Sequence, residues 1–207
     1  MEFSSLVIFV FAGLALNLTP GPDMAYVAAR ATSGGRVAGV VSALGIAAGT
    51  VVHITLVAVG LASMLAAVPA AHVALRYAGA SYLVYLGARA WLSNERALAA
   101  AAPSRGLAKV FWQGAVTNVL NPKVALFFLA FLPQFVDPLA DRPALVIVLL
   151  GLLFNTTGTM VNVCVALAAS SAAARFRGRE KASRALQRLT GAVLIGLGLR
   201  LALTTRE

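Results

Sequence analysis

The sequence predicts an all-α polytopic membrane protein of six transmembrane helices in two inverted three-helix repeats, with the first and fourth helices broken near the midplane. Three observations predict it. The 207 residues are 60% hydrophobic and only 12% charged, with a mean hydropathy of +0.86, whereas a soluble domain of this size needs more charge to cover its surface. The apolar residues gather into six runs divided by polar punctuation. Two of those runs are interrupted by proline beside a residue that can cap a helix.

The runs are 3–29, 37–68, 73–91, 110–135, 144–169 and 189–203. Five meet the ~20 residues that hydrocarbon requires; the sixth is short and carries Arg200 near its end. Polar segments 32–36, 93–105, 137–143 and 175–188, together with Pro69, separate them. Glu2, the lack of a basic start and the lack of a small-residue cleavage site before Asn17 make the first run a retained span and not a signal peptide.

Charge sets the orientation. The formal net charge of +10 comes from 17 Lys and Arg against 7 Asp and Glu. The basic residues lie between apolar runs and not on one soluble face, which argues against nucleic acid. With the N-terminus outside, 12 of the 17 fall in inner segments, among them Arg30, Arg36, Lys109 and the cluster from Arg175 to Arg188. Four (Arg76, Arg142, Arg200 and Arg206) fall outside, and Lys123 is left within a span. Both termini are therefore predicted to lie outside, with the basic loops on the anionic inner leaflet. Trp91 and Trp112 then sit near the inner interface. Cys164 is the single cysteine, which excludes an internal disulfide and a thiolate metal site; it reads as small apolar filling. No metal or cofactor is expected.

The breaks are Thr19-Pro20 and Asn121-Pro122, each an N-cap residue followed by a proline suited to the first helical position. A helix that restarts within the bilayer leaves unpaired N–H and C=O groups, tolerated only where protein or a water-filled cavity covers them. Paired breaks in corresponding halves point to a transporter's binding site. The halves also share an order of small motifs. Gly49-Thr50 with His53 beyond resembles Gly158-Thr159 with Asn162 beyond, and Gly79-Ala80 resembles Gly191-Ala192. One transporter domain is expected over 1–207: a first repeat over 1–95, a cytoplasmic loop over 96–108 and a second repeat over 109–207.

An ordered set of motifs runs along nearly the whole chain, beginning with Thr19-Pro-Gly-Pro-Asp23, Gly45-Ile-Ala-Ala-Gly49 with His53, and Tyr77-Ala-Gly-Ala-Ser-Tyr-Leu-Val-Tyr-Leu-Gly87. It continues with Gln113-Gly114 leading to Asn118 and Asn121-Pro-Lys123, then Phe131-Leu-Pro-Gln-Phe135 and Thr190-Gly-Ala-Val-Leu-Ile-Gly-Leu-Gly198. In this set the chain resembles the LysE/RhtB family of bacterial amino-acid exporters. The resemblance implies an inner-membrane efflux carrier for amino acids or close relatives, driven by proton exchange. The fifth run departs from it: Asn155-Thr-Thr-Gly158 and Asn162 stand where family members often carry aromatic residues.

Candidate site residues follow from the cost of polarity in hydrocarbon. Asp23 is the one acid well inside a predicted span, suited to a substrate ammonium or to the coupling proton; its plain alternative is a first-turn helix acid facing a vestibule. Lys123 lies roughly 21 Å along a helix from Lys109, too deep to snorkel easily. It is suited to a substrate carboxylate, or to pairing with Asp23 in the empty site. Thr19, Pro20, Gly21, Pro22, Asn121 and Pro122 shape the breaks, whose helix N-termini can offer N–H groups to an anion. His53 is either a proton relay or a satisfied interhelical hydrogen bond. Asn17, Asn118, Asn155 and Asn162 either line the cavity or tie helices together, and Gly45 and Gly49 form a close-packing pair.

The function expected is proton-coupled export of a small zwitterionic amino acid, with no catalytic residues and with a homo-oligomer left open. The alternatives are a passive channel for small solutes and an intramembrane enzyme using Asp23 and His53. No nucleophile–base arrangement, metal cluster or phosphate loop favours the enzyme.

Overall fold

The computed structural model describes residues 3–67, 106–137 and 140–172, with scattered residues between 77 and 92 and between 192 and 199. Most of the third predicted span, most of the sixth, the loop 96–105, the basic cluster 175–188 and both termini lie outside the described residues. All regular structure among the described residues is helical.

Helix α1 (Phe3–Leu18) ends at the first break, and α2 (Pro22–Ala67) follows. The 39-residue, largely apolar segment Pro22–Gly60 would run to about 58 Å if straight, nearly twice the hydrocarbon thickness. It does not run straight. Gly35 adopts φ 79° and ψ −175° inside α2, a conformation that suits glycine because it has no Cβ. The chain folds back there, so that a Cβ on Gly39 would fall 2.7 Å from that of Ala31. The predicted segment 32–36 is thus a turn between two arms.

The second break separates α3 (Leu107–Val119) from α4 (Pro122–Leu126). Leu107–Val119 and Pro122–Phe135 together qualify as one span bent by 48°. After α4 the helix widens into a π turn over Phe127–Phe131 and tightens into a 3₁₀ turn over Leu132–Phe135. Pro133 explains the change, since it has no N–H for the α-helical bond to the preceding turn. Helix α5 (Pro143–Ala172) is the remaining described span.

Helix α2 packs against both α3 and α5. Lipid tails are as apolar as leucine, so close fit and hydrogen bonds must hold the helices together. Small residues provide the fit. A Cβ on Gly45 would lie 2.1 Å from the Phe111 carbonyl oxygen, and one on Gly49 would lie 2.6 Å from that of Ala115. Gly114 meets the Ser42 carbonyl at 2.8 Å in the same sense. At the other end of the bundle, Phe9, Phe127, Phe128, Phe131 and Phe154 form an aromatic core, with Phe127 stacked on Phe154 at 4.5 Å between centroids. Phe11, Leu56, Val59, Leu149, Met160 and Trp112 point outward, as lipid-facing residues do. Cys164 is also exposed; it faces outward from α5 and does not fill the interior as expected.

Candidate functional site

The two breaks come together in the fold, and they are built differently. At the second, Asn121 takes an extended conformation (φ −78°, ψ 107°), its side chain accepts from the Lys123 N–H at 3.0 Å, and Pro122 opens α4. This is the N-cap and N1 proline read from the sequence. The first N–H groups of α4 are consumed locally, because the Asn121 carbonyl accepts from Val124 and Ala125 at 3.2 and 3.0 Å. That N-terminus offers an anion less than expected.

At the first break the expectation shifts by two residues. The Thr19 hydroxyl donates back to the Ala15 carbonyl at 2.8 Å, so Thr19 closes α1 and does not cap α2. Pro20 brings no N–H and α1 stops. The Gly21 carbonyl accepts from Ala25 at 2.9 Å, so Gly21 stands at the cap position and Pro22 is the first residue of α2.

Lys123 joins the two breaks. Its ammonium donates to the carbonyls of Leu16 at 3.1 Å and Thr19 at 2.8 Å. It passes so close to Gly21 that a Cβ there would lie 3.1 Å from Nζ. A cation on the last carbonyls of α1 complements the negative end of that helix. The expected contact between Lys123 and Asp23 is not made: among the described residues no ion pair joins them, although the charges are near enough to interact.

Asp23, in the first turn of α2, is buried. Its Oδ2 accepts from Asn118 Nδ2 at 2.7 Å. Its Oδ1 is buried without a hydrogen-bond partner, and so is Nδ2 of Asn121, whose side chain lies close enough to act on the carboxylate. Asn118 is the hub of the site. Its Oδ1 accepts from the Thr50 hydroxyl at 3.3 Å, and its carbonyl lies 3.1 Å from His53 Nε2. A carbonyl only accepts, so His53 carries a proton on Nε2. The imidazole also stacks on Phe128, 6.0 Å between centroids. Of the two roles read for His53, the interhelical hydrogen bond is the one seen; it reaches Asp23 through Asn118.

Asp23, Asn118, Asn17 and Thr50 line a cavity of about 20 Å³ whose far wall is the polar face of α5: Asn155, Gly158, Thr159 and Asn162. Ile46, Val124 and Phe154 complete it. Asn17 and Asn155 also tie helices. Asn17 donates to Phe154 O and Thr157 Oγ1, both at 3.3 Å, and lies against Gly158. Asn155 donates to Ala47 O at 3.3 Å. Thr50 and Thr159 were not singled out as site residues from the sequence. The signal for both was present, since they are the matching members of the two Gly-Thr motifs.

A model of the LysE type translocators matches residues 14–205. The chain belongs to this family. It is therefore a membrane transporter and not an enzyme. Among relatives, an uncharacterised membrane protein of Pseudomonas aeruginosa is 32% identical over 95% of this chain and 94% of its own. The homoserine/homoserine lactone efflux protein of Salmonella typhimurium is 28% identical over 98% of each chain. The leucine efflux protein of Klebsiella pneumoniae is 26% identical over 97% of each. No solved structure matches the chain.

Proposed function

We propose that this translocator exports small zwitterionic amino acids across the bacterial inner membrane in exchange for protons. Asp23 carries the reading: a buried carboxylate with one oxygen unpartnered, beside two helix breaks in a polar cavity. An unpaired acid within a membrane is costly, and a substrate ammonium or a proton satisfies the same oxygen. Alternation between those two occupants is the chemistry of antiport. The substrate carboxylate falls to Lys123, which has three N–H donors and spends two on α1 carbonyls. The homoserine and leucine efflux relatives support the amino-acid class.

A cavity of about 20 Å³ has room for roughly one water, so the helices must part to admit an amino acid. Alternating access of the two inverted halves, 1–95 and 109–207, supplies that motion. The matching Gly-Thr motifs of α2 and α5, which place Thr50 and Thr159 on one cavity, support the repeat. In this reading both termini are periplasmic.

Counterflow in proteoliposomes, screened over the twenty amino acids and homoserine with and without an imposed pH gradient, tests the proposal. Accumulation of one or a few amino acids driven by the pH gradient is expected, and it should vanish in Asp23→Asn. Flux that only follows the substrate gradient would make the protein a passive channel.

A further inference from the structure

Four asparagines stand on the wall of the Asp23 cavity, and three of them are tied to protein. Asn17 donates to Phe154 O and Thr157 Oγ1, Asn155 to Ala47 O, and Asn118 to Asp23 Oδ2. Asn162 is the exception. It is 8% exposed and lines the cavity, yet among the described residues its amide makes no hydrogen bond. A buried amide has two donors and an acceptor, and leaving them unpaired is costly. Of the two roles read for Asn162 from the sequence, lining the cavity is the one seen. It also has company there. Asn155, Gly158, Thr159 and Asn162 recur at i, i+3, i+4 and i+7, so α5 turns one polar stripe to the cavity. The Thr159 hydroxyl donates back to Asn155 O at 2.7 Å, which leaves its lone pairs for an incoming donor.

The stripe runs away from the first break. Gly158 lies against Asn17, next to the Leu16 carbonyl that Lys123 holds, whereas Ala166 lies against Gly39, near the Gly35 turn. Asn162 is one turn from each, about 6 Å further along α5 than Gly158. An amino acid with its carboxylate at Lys123 and its ammonium at Asp23 therefore has the α5 stripe left for its side chain. That side chain must be neutral. Asp23 is the one charged group on this wall among the described residues, and the ammonium takes it. A second cation would find no partner, and a second carboxylate would meet Asp23 itself. The side chain must also hydrogen-bond, because an aliphatic group would leave the Asn162 amide unpaired, whereas a hydroxyl or amide both donates to it and accepts from it. We infer that Asn162 reads the substrate's side chain, and that it selects a neutral hydroxyl or amide over an aliphatic group of the same shape. This inference rests on the export reading above and names the substrate class of that same site.

The test is counterflow by purified full-length protein in liposomes, with three pairs of amino acids matched in shape and differing in polarity. The pairs are threonine and valine, homoserine and norvaline, and asparagine and leucine, each amino acid measured against itself for apparent affinity. In the parent protein the polar member of at least one pair should be favoured at least tenfold, and no aliphatic member should be favoured over its partner. That ranking is independent of how any variant folds. Asn162→Ala should erase the preference, Asn162→Leu should erase or reverse it, and Asn162→Ser, which keeps a hydroxyl, should retain part of it. Norvaline or leucine counterflow by Asn162→Leu would show that the variant is folded. A parent that treats the members of every pair alike, or favours the aliphatic ones, would overturn the inference. So would an undiminished polar preference in Asn162→Ala and Asn162→Leu. Each of these results includes counterflow and leaves the export reading intact; absence of counterflow for every amino acid would sink the two together.

Discussion

The first and second helix breaks carry similar sequences, Thr19-Pro20 and Asn121-Pro122, yet they solve the same problem in opposite ways. The second is self-sufficient: Asn121 caps the helix that follows it, through its own side chain and carbonyl. The first leaves the carbonyl of Thr19 to be met from elsewhere, and Lys123 of the second break meets it while adding a second donor to the Leu16 carbonyl, which already takes the Thr19 N–H at 3.1 Å. One half therefore depends on the other at the depth where substrate is proposed to bind. A break that borrows its partner can be opened by moving the partner, whereas a break that caps itself is a rigid hinge. In the proposed export mechanism this asymmetry fits gating at the first break and anchoring at the second.

Lys123→Met separates the two most strongly. It strands the Thr19 carbonyl and leaves that of Leu16 with the Thr19 N–H alone, and an unsatisfied buried acceptor costs about 1–3 kcal/mol. A large fall in detergent melting temperature and loss of counterflow are expected, with Lys123→Arg partly restoring both. A parental melt for Lys123→Met would mean that the first break does not need it.

Asp23→Asn should split stability from transport. The amide can still accept from Asn118 and no longer leaves an unpaired charge, so the melt should move by less than about 1 kcal/mol. Transport should drop at least about tenfold, equivalent to roughly 1.4 kcal/mol or more. Undiminished pH-driven accumulation would remove Asp23 from the mechanism and turn attention to His53.

Asn121→Ala removes a cap and should cost about 1 kcal/mol, with Asn121→Asp or Asn121→Ser recovering most of it. The second break is anchoring only if transport falls in step with stability across this series. A variant with a normal melt and no transport would make Asn121 a substrate ligand instead.

Thr19→Val should have the smallest effect, below about 1 kcal/mol, because the Ala15 carbonyl keeps the Thr19 N–H at 3.0 Å when the hydroxyl is gone. If Thr19 were the cap of α2, the same substitution would match Asn121→Ala. Equal melting shifts for the two would restore the symmetric view of the breaks.

Much of the architecture was legible because its signals are local. Proline lacks an N–H wherever it stands, so the interruptions in runs 3–29 and 110–135 follow from chemistry independent of context. The turn at Gly35 was written in Thr32-Ser-Gly-Gly-Arg36, and the close approach at Gly45 and Gly49 in their spacing. Asp23 stood out for the same reason: an acid in an apolar run costs free energy wherever the run packs.

What tertiary structure decided were partners. Both Pro20 and Pro22 suit a first helical position, and the choice fell to Pro22 because Thr19 turned back onto α1. Asn118 was one of four ambiguous asparagines by sequence; packing against Gly49 put its amide on Asp23 and Thr50 and made it the centre of the site. Lys123 was expected to meet an acid and met two carbonyls more than a hundred positions earlier in the chain. Composition and periodicity establish that a polar group inside a membrane must be satisfied. Which group satisfies it depends on distances between helices remote in sequence, and those are set by the fit of side chains across helix faces.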